Sequence, residues 1–213
     1  MQRKIAVIGA GSAGLLTLAH FCTWLDTSWQ VVSVFNPAKK ILGIGESTNG
    51  AFISVVERAT NFSLAHADDL AALDATLKFG SKFMNWREKP WINPLLSGNI
   101  AIHFNNQRFK DFVYERLSKL WPQQFSVLEA DVRQVQNYAD HVTLDTDRGL
   151  HDFDYVVDCT GTPRSFDGYT MSDCTLMDRC RIHVVKDSDY PPVTDHIATR
   201  DGGMFGTAGS RSP

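Results

Sequence analysis

The sequence has 213 residues, of which 43% are hydrophobic and 21% charged, and its formal net charge is −3. These values are ordinary for a globular protein with an apolar core, and they exclude a strongly basic surface for nucleic acid or anionic membrane. No stretch reaches about 18 consecutive apolar residues, so we expect no transmembrane helix.

A strand, a glycine turn, a helix and a second strand follow one another at the start of the chain. Residues 4–8 form a short apolar run, 12–25 read as a packed helix, and 31–35 form a second apolar run that Asn36-Pro37 ends. This order and length are typical of a β-α-β unit. We therefore predict an α/β fold with a Rossmann-like, three-layer nucleotide-binding domain.

Three glycines stand at G-x-G-x-x-G spacing between the first predicted strand and the helix. Gly9 permits the tight turn, Gly11 lets the backbone approach a pyrophosphate, and Gly14 lets the helix pack closely on the sheet. The anion would then face unpaired N–H groups at the helix N-terminus. The pattern predicts a dinucleotide site with the candidate residues Gly9, Gly11, Ser12, Ala13 and Gly14.

The residue after the second strand departs from this motif. An acid usually stands near this point and bonds the ribose hydroxyls, whereas this chain has Asn36. An amide can still bond a hydroxyl, but without the charge. We therefore expect weak cofactor binding.

Short helices and strands alternate through the rest of the chain. Residues 50–60 and 67–75 indicate two helices, 77–83 alternate as a strand does, 86–98 form a loop, and 107–120 are an amphipathic helix. Further strands are predicted at 125–128, 132–135, 142–145, 155–158 and 180–186. We expect one domain over residues 1–200 with an inserted mixed sheet, and a disordered Gly/Ser-rich tail at 201–213.

Three segments allow both a structural and a functional interpretation from their residues alone. Gly45-Glu46-Ser47-Thr48 is either a surface turn before a helix or a functional loop. Lys78 either faces solvent from a half-buried strand or is a functional amine. Asp158-Cys159-Thr160-Gly161 is either a strand end with a β-turn or part of a cofactor site. The four cysteines show no zinc-ligand spacing, which favours a reduced, cytoplasmic location and no bound metal.

Taken together and in this order, these segments resemble the flavin-dependent tryptophan halogenases, a branch of the flavin monooxygenase superfamily. The glycine turn is similar to the family's FAD fingerprint, and Gly45-Glu46-Ser47-Thr48 to its G-E-A-T loop beside the flavin ring. Residues 77–83, followed by Asn85-Trp86, resemble its F-K-x-G-x-x-F segment. Arg108 resembles the arginine that opens the family's long helix, and residues 156–161 its D-C-T-G element.

The resemblance implies an oxidoreductase that halogenates an aromatic compound. Reduced FAD is the implied cofactor, chloride or bromide the co-substrate, an indole or phenol the substrate, and a flavin reductase a partner. Lys78 would be catalytic, delivering halogen as a chloramine or as a hydrogen-bond donor, and we expect it to be buried near the Glu46 loop with its pKa lowered by Leu77 and Phe79. The implied FAD-binding residues are Gly9, Gly11, Ser12, Ala13, Gly14, Asn36, Gly45, Glu46, Ser47, Thr48, Arg108, Asp158 and Gly161.

The resemblance covers about residues 3–185, whereas the family's chains are well over twice as long as this one. The family's G-W-x-W-x-I-P signature and catalytic glutamate are not found here. We therefore expect either a separate polypeptide that carries the C-terminal half, or a truncated, non-catalytic FAD- or nucleotide-binding remnant. A related flavin-dependent aromatic hydroxylase is a third interpretation. We expect no nucleic acid and no membrane as partners.

Overall fold

The computed structural model describes residues 2–41, 43, 46–95, 99–161, 170, 181, 192–200 and 202–206. Its helices are α1 (Ser12–Trp24), α2 (Gly50–Thr60), α3 (Ala67–Ala72) and α4 (Asn106–Leu120). Its strands are β1 (Arg3–Ile8), β2 (Trp29–Phe35), β3 (Thr76–Lys78), β4 (Gly80–Met84), β5 (Trp91–Pro94), β6 (Ala101–His103), β7 (Phe125–Glu129), β8 (Val132–Asn137), β9 (Val142–Thr146), β10 (Gly149–Phe153), β11 (Tyr155–Asp158), β12 (Val193–Thr199) and β13 (Gly202–Gly206). None of the described helices is long and apolar enough to span a membrane.

The chain divides into two compact units, each assembled from three segments. Unit 1 comprises Met1–Leu42, Ser54–Leu73 and Asn106–Gly161, and unit 2 comprises Gly43–Ile53, Asp74–Asn105 and Thr162–Pro213. The single domain predicted over residues 1–200 stays a prediction. In sequence, two segments of unit 2 interrupt unit 1, which agrees with the inserted sheet that was expected.

Unit 1 has three layers around a parallel sheet with the strand order β11-β1-β2-β7. The two central strands, β1 and β2, bury runs of four and five consecutive residues, because both faces of the sheet are covered there. Helix α1 contacts β1 and β2, and buries residues spaced three or four apart: Leu15, Leu18, Ala19 and Cys22. The antiparallel sheet β10-β9-β8 packs on the parallel sheet through a second apolar cluster that contains Ala6, Ile8, Val32, Val34, Val132, Leu144 and Phe153. The predicted three-layer α/β fold is confirmed.

Unit 2 contains a mixed sheet with the order β13-β12-β4-β5, in which only β12 and β4 are parallel, and a separate pair β3-β6. Rings at directly paired positions contact one another across all four strands of the mixed sheet, stacked for Phe83 with Trp91 and His196 and edge-to-face for His196 with Phe205. Phe83 lies 4.8 Å from both Trp91 and His196, and Phe205 lies 5.1 Å from His196, measured between ring centroids. Such cross-strand pairs stabilise the register of a sheet.

The strand predicted for residues 77–83 is divided at Phe79. Residues before Phe79 pair with β6, and residues after it pair with β12 and β5. The backbone N–H of Phe79 donates to Pro192 O at 2.8 Å, and its carbonyl accepts from the Leu95 N–H at 2.9 Å. Phe79 is 54% exposed, whereas Lys78 is buried.

Two segments that were expected to be irregular contain strands. The predicted loop at 86–98 includes β5, which approaches β4 so closely that a Cβ at Gly80 would lie 2.7 Å from Asn93 O. The predicted disordered tail includes β13, which pairs with β12 through a hairpin whose turn has Gly202 at φ +154. Strands β6, β10 and β12 were not predicted, and the strand predicted at 180–186 lies, apart from Arg181, outside the described residues.

Candidate functional site

The glycine turn between β1 and α1 is shaped by backbone contacts within unit 1. Gly9 has φ +106, and a Cβ there would lie 2.6 Å from Cys159 O. A Cβ at Gly14 would lie 1.9 Å from Gly9 O. The Gly9 N–H donates to Val34 O and the Cys159 N–H donates to Ile8 O, both at 2.8 Å. Only glycine fits at positions 9 and 14, because neighbouring backbone occupies the space of a side chain.

Gly11 has a different role in the same turn. Its φ of −78° and ψ of 179° are extended backbone that any residue can adopt, and no atom of the described residues lies within 4 Å of a Cβ built there. Ala13, two residues further, is exposed. Position 11 therefore adjoins open space at the N-terminus of α1, where the first backbone N–H groups of a helix lack helical partners and favour an anion.

Ser12 and Arg108 belong to the first turns of α1 and α4. The Ser12 hydroxyl donates to Asn106 Oδ1 at 3.0 Å, which joins the starts of these two helices. Arg108 is exposed, and its guanidinium makes a long contact of 3.5 Å with Ala71 O. Arg108 thus follows Asn106, the residue that contacts Ser12 of α1, by two positions in α4.

Three parallel strands of unit 1 end at the same edge of the sheet. Ile8 is in register with Val34 on β2 and with Asp158 on β11. The glycine turn, Asn36 and Asp158 therefore all lie at the carboxyl ends of adjacent strands. Strand β1 has β2 on one side and β11 on the other. Open α/β sheets bind their ligands outside the carboxyl ends of the strands, at the position where the strand order reverses.

The polar side chains at this edge are bonded to their own turns. Asn36 Oδ1 accepts from the Ala38 N–H, and Asp158 Oδ1 accepts from the Thr160 N–H, both at 2.8 Å. Gly161 has φ +90, and within the described part of the chain no atom lies within 4 Å of a Cβ built there. These hydrogen bonds fix the backbone conformation at this edge of the sheet. Among the predicted site residues, Asp158 is the one that places a carboxylate there.

In unit 2, Lys78 is a buried lysine, with 9% of its surface exposed. Its Nζ donates to Ser47 Oγ at 2.8 Å and makes a longer contact of 3.5 Å with Thr48 O. Thr48 is itself tied to β6, because its hydroxyl oxygen accepts from the Ile102 N–H at 2.9 Å. The burial expected for Lys78 beside this loop is confirmed, whereas its catalytic role stays a prediction. Burial lowers the pKa of Lys78 below its ordinary value.

Two hydroxyls connect Lys78 to a histidine that is 1% exposed. Ser47 Oγ lies 3.1 Å from Thr194 Oγ1, which lies 2.9 Å from His103 Nε2. The pairing of backbones explains why these groups meet. Thr76 and Ser47 are both paired with His103, and Lys78 follows Thr76 by two residues on the same face of the strand. We call Lys78, Ser47, Thr194 and His103 the amine cluster.

Lys78 is the cation of the amine cluster, and two histidines in this region, His103 within the cluster and His196 on β12, resist protonation. Burial, with a smaller contribution from the charge of Lys78, lowers the pKa of His103 to about 4. Burial and Lys78 also lower the pKa of His196, while the neighbouring Asp195 raises it. His103 is therefore neutral at pH 7 and can accept a hydrogen bond at one ring nitrogen.

The loop that supplies Ser47 has a structural role as well. The Glu46 carbonyl accepts from the Phe104 N–H at 3.1 Å, and Asn49 Oδ1 accepts from the Phe52 N–H at 3.1 Å, which caps α2. Both interpretations of this loop are thus compatible with its geometry. Gly45 lies outside the described residues.

His103 and Thr194 were not among the predicted site residues. His103 ends a short apolar run, and Thr194 belongs to β12, in which apolar and polar residues do not alternate and no motif is present. No local signal in the sequence indicates these residues, because only the pairing of β4 with β12 and the bridge between Ser47 and His103 bring them to Lys78.

A family model described as tryptophan halogenase matches residues 4–125. The matched stretch contains the glycine turn, the loop with Ser47, Lys78 and Arg108. No match was found among curated proteins. Because the family model matches more than half of this chain, the chain belongs to the tryptophan halogenase family.

Solved halogenase structures share the fold. Tar14, a tryptophan C-6 flavin-dependent halogenase (chlorinase) from taromycin biosynthesis, matches with TM-score 0.73 and 15% identity over 97% of this chain and 54% of Tar14. BrvH, a flavin-dependent halogenase from Brevundimonas sp. BAL3, matches with TM-score 0.70 and 18% identity over 99% of this chain and 55% of BrvH. Halogenase PltM in complex with phloroglucinol and FAD matches with TM-score 0.52 and 16% identity over 75% of this chain and 34% of PltM. The chain thus spans about half the length of Tar14 and BrvH.

Proposed function

We propose that this chain is the FAD-binding part of a flavin-dependent halogenase that transfers chloride or bromide to an indole or phenol through Lys78. The observation that carries this proposal is a buried amine in direct contact with the loop that resembles the family's flavin-side loop. A lysine on the surface of a half-buried strand would have its Nζ in solvent. The geometry therefore favours the functional interpretation of Lys78 over the structural one.

The residues of unit 1 fit FAD. The turn contains two glycines that neighbouring backbone makes obligatory and a third that adjoins open space at a helix N-terminus, which suits a pyrophosphate. Gly9, Gly11, Ser12, Ala13 and Gly14 would hold the pyrophosphate, and Asn36 would meet the ribose. Reduced FAD bound at this turn would, together with oxygen, supply the chemistry that oxidises the halide.

The remaining predicted residues have supporting roles in this proposal. Asp158 and Gly161 would line the cofactor at the carboxyl edge, and Arg108 would supply a positive charge from α4. Glu46, Ser47 and Thr48, with Gly45, would border the flavin ring. PltM has been solved with FAD, which supports the choice of cofactor.

Lys78 would act on the oxidised halogen in one of two forms. As an ammonium, it donates a hydrogen bond that polarises hypohalous acid. As a neutral amine, its nitrogen forms an N–Cl bond and releases water. Burial lowers the free energy needed to deprotonate Lys78, because it removes water that stabilises the charge. The aromatic substrate then takes the halogen and loses a proton.

Flavin binding is tested by titrating the fluorescence of FAD with the wild-type chain and with Gly11→Val. A valine side chain would occupy the open space beside α1, so we expect binding to fall below detection in a folded variant. His20→Val places the same side chain at an exposed position of the same helix and should bind as the wild type does. Unchanged binding by Gly11→Val would contradict the pyrophosphate role.

Halogen transfer is tested with reduced FAD from a flavin reductase, bromide or chloride, and a panel of indoles and phenols. The assay is run with the chain alone and with any polypeptide encoded next to it that contains a G-W-x-W-x-I-P segment. We expect Lys78→Ala to stop halogenation while flavin oxidation continues, and Lys89→Ala, in an exposed loop, to have no effect. A Lys78→Ala enzyme that still halogenates would overturn the role of Lys78. Hydroxylated products without halide would indicate the related hydroxylase.

A second candidate function is a non-catalytic FAD- or nucleotide-binding protein. Asn36 favours it, because the amide replaces the charge that usually holds the ribose and its carbonyl oxygen is already bonded to the Ala38 N–H. Flavin binding without turnover under every condition of the halogenation assay would identify this function.

A further inference from the structure

The amine cluster contains two residues, Thr194 and His103, to which the proposed function gives no role. Three consecutive contacts run from Lys78 to Ser47, Thr194 and His103, at 2.8, 3.1 and 2.9 Å. Each hydroxyl has one proton to donate, so the direction of one hydrogen bond restricts the direction of the next. The buried ring nitrogen at the far end is therefore coupled to the amine.

Counting hydrogen-bond donors and acceptors distinguishes the possible proton positions along these three contacts. The Lys78 ammonium can only donate, so Ser47 Oγ accepts from it. If Ser47 then donates to Thr194 and Thr194 donates to His103 Nε2, both hydroxyl protons are used. The proton of His103 then lies on Nδ1, which is the single group of the cluster without a partner in the described part of the chain.

The other arrangements leave more groups unmatched. If His103 donates from Nε2 and Thr194 donates to Ser47, the Ser47 proton and the Nδ1 lone pair both lack partners among the described residues. If Ser47 and His103 both donate to Thr194, the Thr194 proton and the Nδ1 lone pair lack them. Each unmatched buried group is unfavourable, so the first arrangement is preferred.

We propose that His103 is a positioning residue for Lys78. By accepting from Thr194 at Nε2, it draws both hydroxyl protons away from the amine and presents Ser47 Oγ as an acceptor to the ammonium. His103 thus favours the charged, donating form of Lys78 and opposes the effect of burial. The importance of this role rests on the proposed function of Lys78, but its test does not.

Other ionisable groups near the cluster come from three elements. Asp195 and His196 follow Thr194 on β12, and Lys82 on β4 is paired with Asp195. Glu46 precedes Ser47 in its loop. Substitutions of His103 or Thr194 leave all four of these groups in place, so any shift they cause in the titration of Lys78 reports on the hydrogen-bonded chain.

The protonated nitrogen of His103 can be observed directly. Long-range ¹H–¹⁵N correlation spectra of the full chain at pH 7 distinguish a ring with its proton on Nδ1 from one with its proton on Nε2, and His103→Gln assigns the signal. We expect a neutral ring with the proton on Nδ1. A proton on Nε2 would overturn the proposal, and this measurement needs no flavin, substrate or folded variant other than that used for assignment.

The effect on Lys78 is measured by titrating the ¹³Cε signal of labelled lysine, assigned with Lys78→Ala. Ser47→Ala removes the direct acceptor and should lower the pKa of Lys78 by about one to two units. His103→Leu and Thr194→Val interrupt the chain further away and should lower it by about half a unit. His103→Gln, whose amide oxygen can accept from Thr194, and Thr194→Ser should restore the wild-type value.

Thr143→Val is the matched control, since Thr143 is a buried threonine of unit 1 whose hydroxyl bonds Asp152. It should leave the titration of Lys78 unchanged. An unchanged titration in folded His103→Leu and Thr194→Val would overturn the proposal. A chain that fails to bind FAD or to halogenate would still give these readings, so failure of the proposed function is distinguishable from failure of this role.

Discussion

In unit 1 the candidate cofactor turn is defined by backbone atoms, whereas in unit 2 the amine cluster is defined by side chains. Gly9 and Gly14 are required because carbonyl oxygens lie 2.6 and 1.9 Å from where their Cβ atoms would be. The amine cluster instead depends on four polar side chains from four separate segments. A site of the first kind tolerates little change without loss of the fold. A site of the second kind can lose its chemistry while the fold persists.

The most direct test of this comparison replaces two glycines of the same turn, one at a time. Gly14→Val should destabilise the protein by more than about 4 kcal/mol, because the new side chain overlaps backbone that cannot move aside. Gly11→Val should change stability by about 1 kcal/mol or less, since its backbone is extended and its surroundings are open. Urea unfolding measures both. A Gly14→Val protein as stable as the wild type would break the comparison.

The pKa of His103, a residue of unit 2, predicts how the stability of the protein depends on pH. Its folded pKa is about 4, below the value in an unfolded chain, so the unfolded state binds more protons between about pH 6.5 and 4. The contribution of His103 is present above that window and is lost as the pH falls through it, amounting to about 3 kcal/mol. His103→Gln should lose less stability than the wild type over the same range in urea unfolding. Parallel pH profiles would show that the ring is not held neutral.

Asn36 tests whether unit 1 has a weakened cofactor site. We expect the wild-type chain to bind FAD weakly and to purify colourless. Asn36→Asp should raise FAD affinity about tenfold or more, because a carboxylate forms a charge-assisted bond to ribose and can still accept from the Ala38 N–H. Flavin fluorescence titration measures the change. A yellow wild-type protein that retains stoichiometric FAD through gel filtration would contradict this prediction.

The two regions also differ in how far the sequence predicts them. The parallel sheet and glycine turn were predictable, because Gly9, Gly11 and Gly14 lie within six residues and between two apolar runs. The burial of Lys78 was predicted from a resemblance, but its partners were not. Thr194 is 116 residues from Lys78 in sequence (194 minus 78), and only strand pairing brings them together.

Short strands were missed for a related reason. In the sequence, strand β13 has the composition of a glycine-rich tail, and Asn93-Pro94 make up half of the four-residue strand β5. Neither has an apolar pattern of its own. Each becomes a strand because a neighbouring strand satisfies its backbone hydrogen bonds, which is information that a local pattern does not contain.

The smallest expected effect concerns the stability contribution of Lys78 itself. Lys78→Met keeps the length of the buried stem and removes the charge, whereas alanine would also leave a cavity. Because burial lowers the pKa of Lys78, the folded state disfavours its ammonium, and the variant should be more stable at pH 7 by about 0.5–2 kcal/mol.

This gain should shrink at alkaline pH. As the pH rises from the folded pKa of Lys78 toward its ordinary value, the folded chain loses this proton before the unfolded chain does, so the wild type gains stability relative to the variant. Urea unfolding at several pH values measures the difference, and Lys89→Met, at an exposed position, should show none. A Lys78→Met protein that is less stable than the wild type would mean that the bond to Ser47 outweighs the desolvation of the amine. The amine cluster would then stabilise the fold as the glycine turn does, and the contrast between the two regions would be lost.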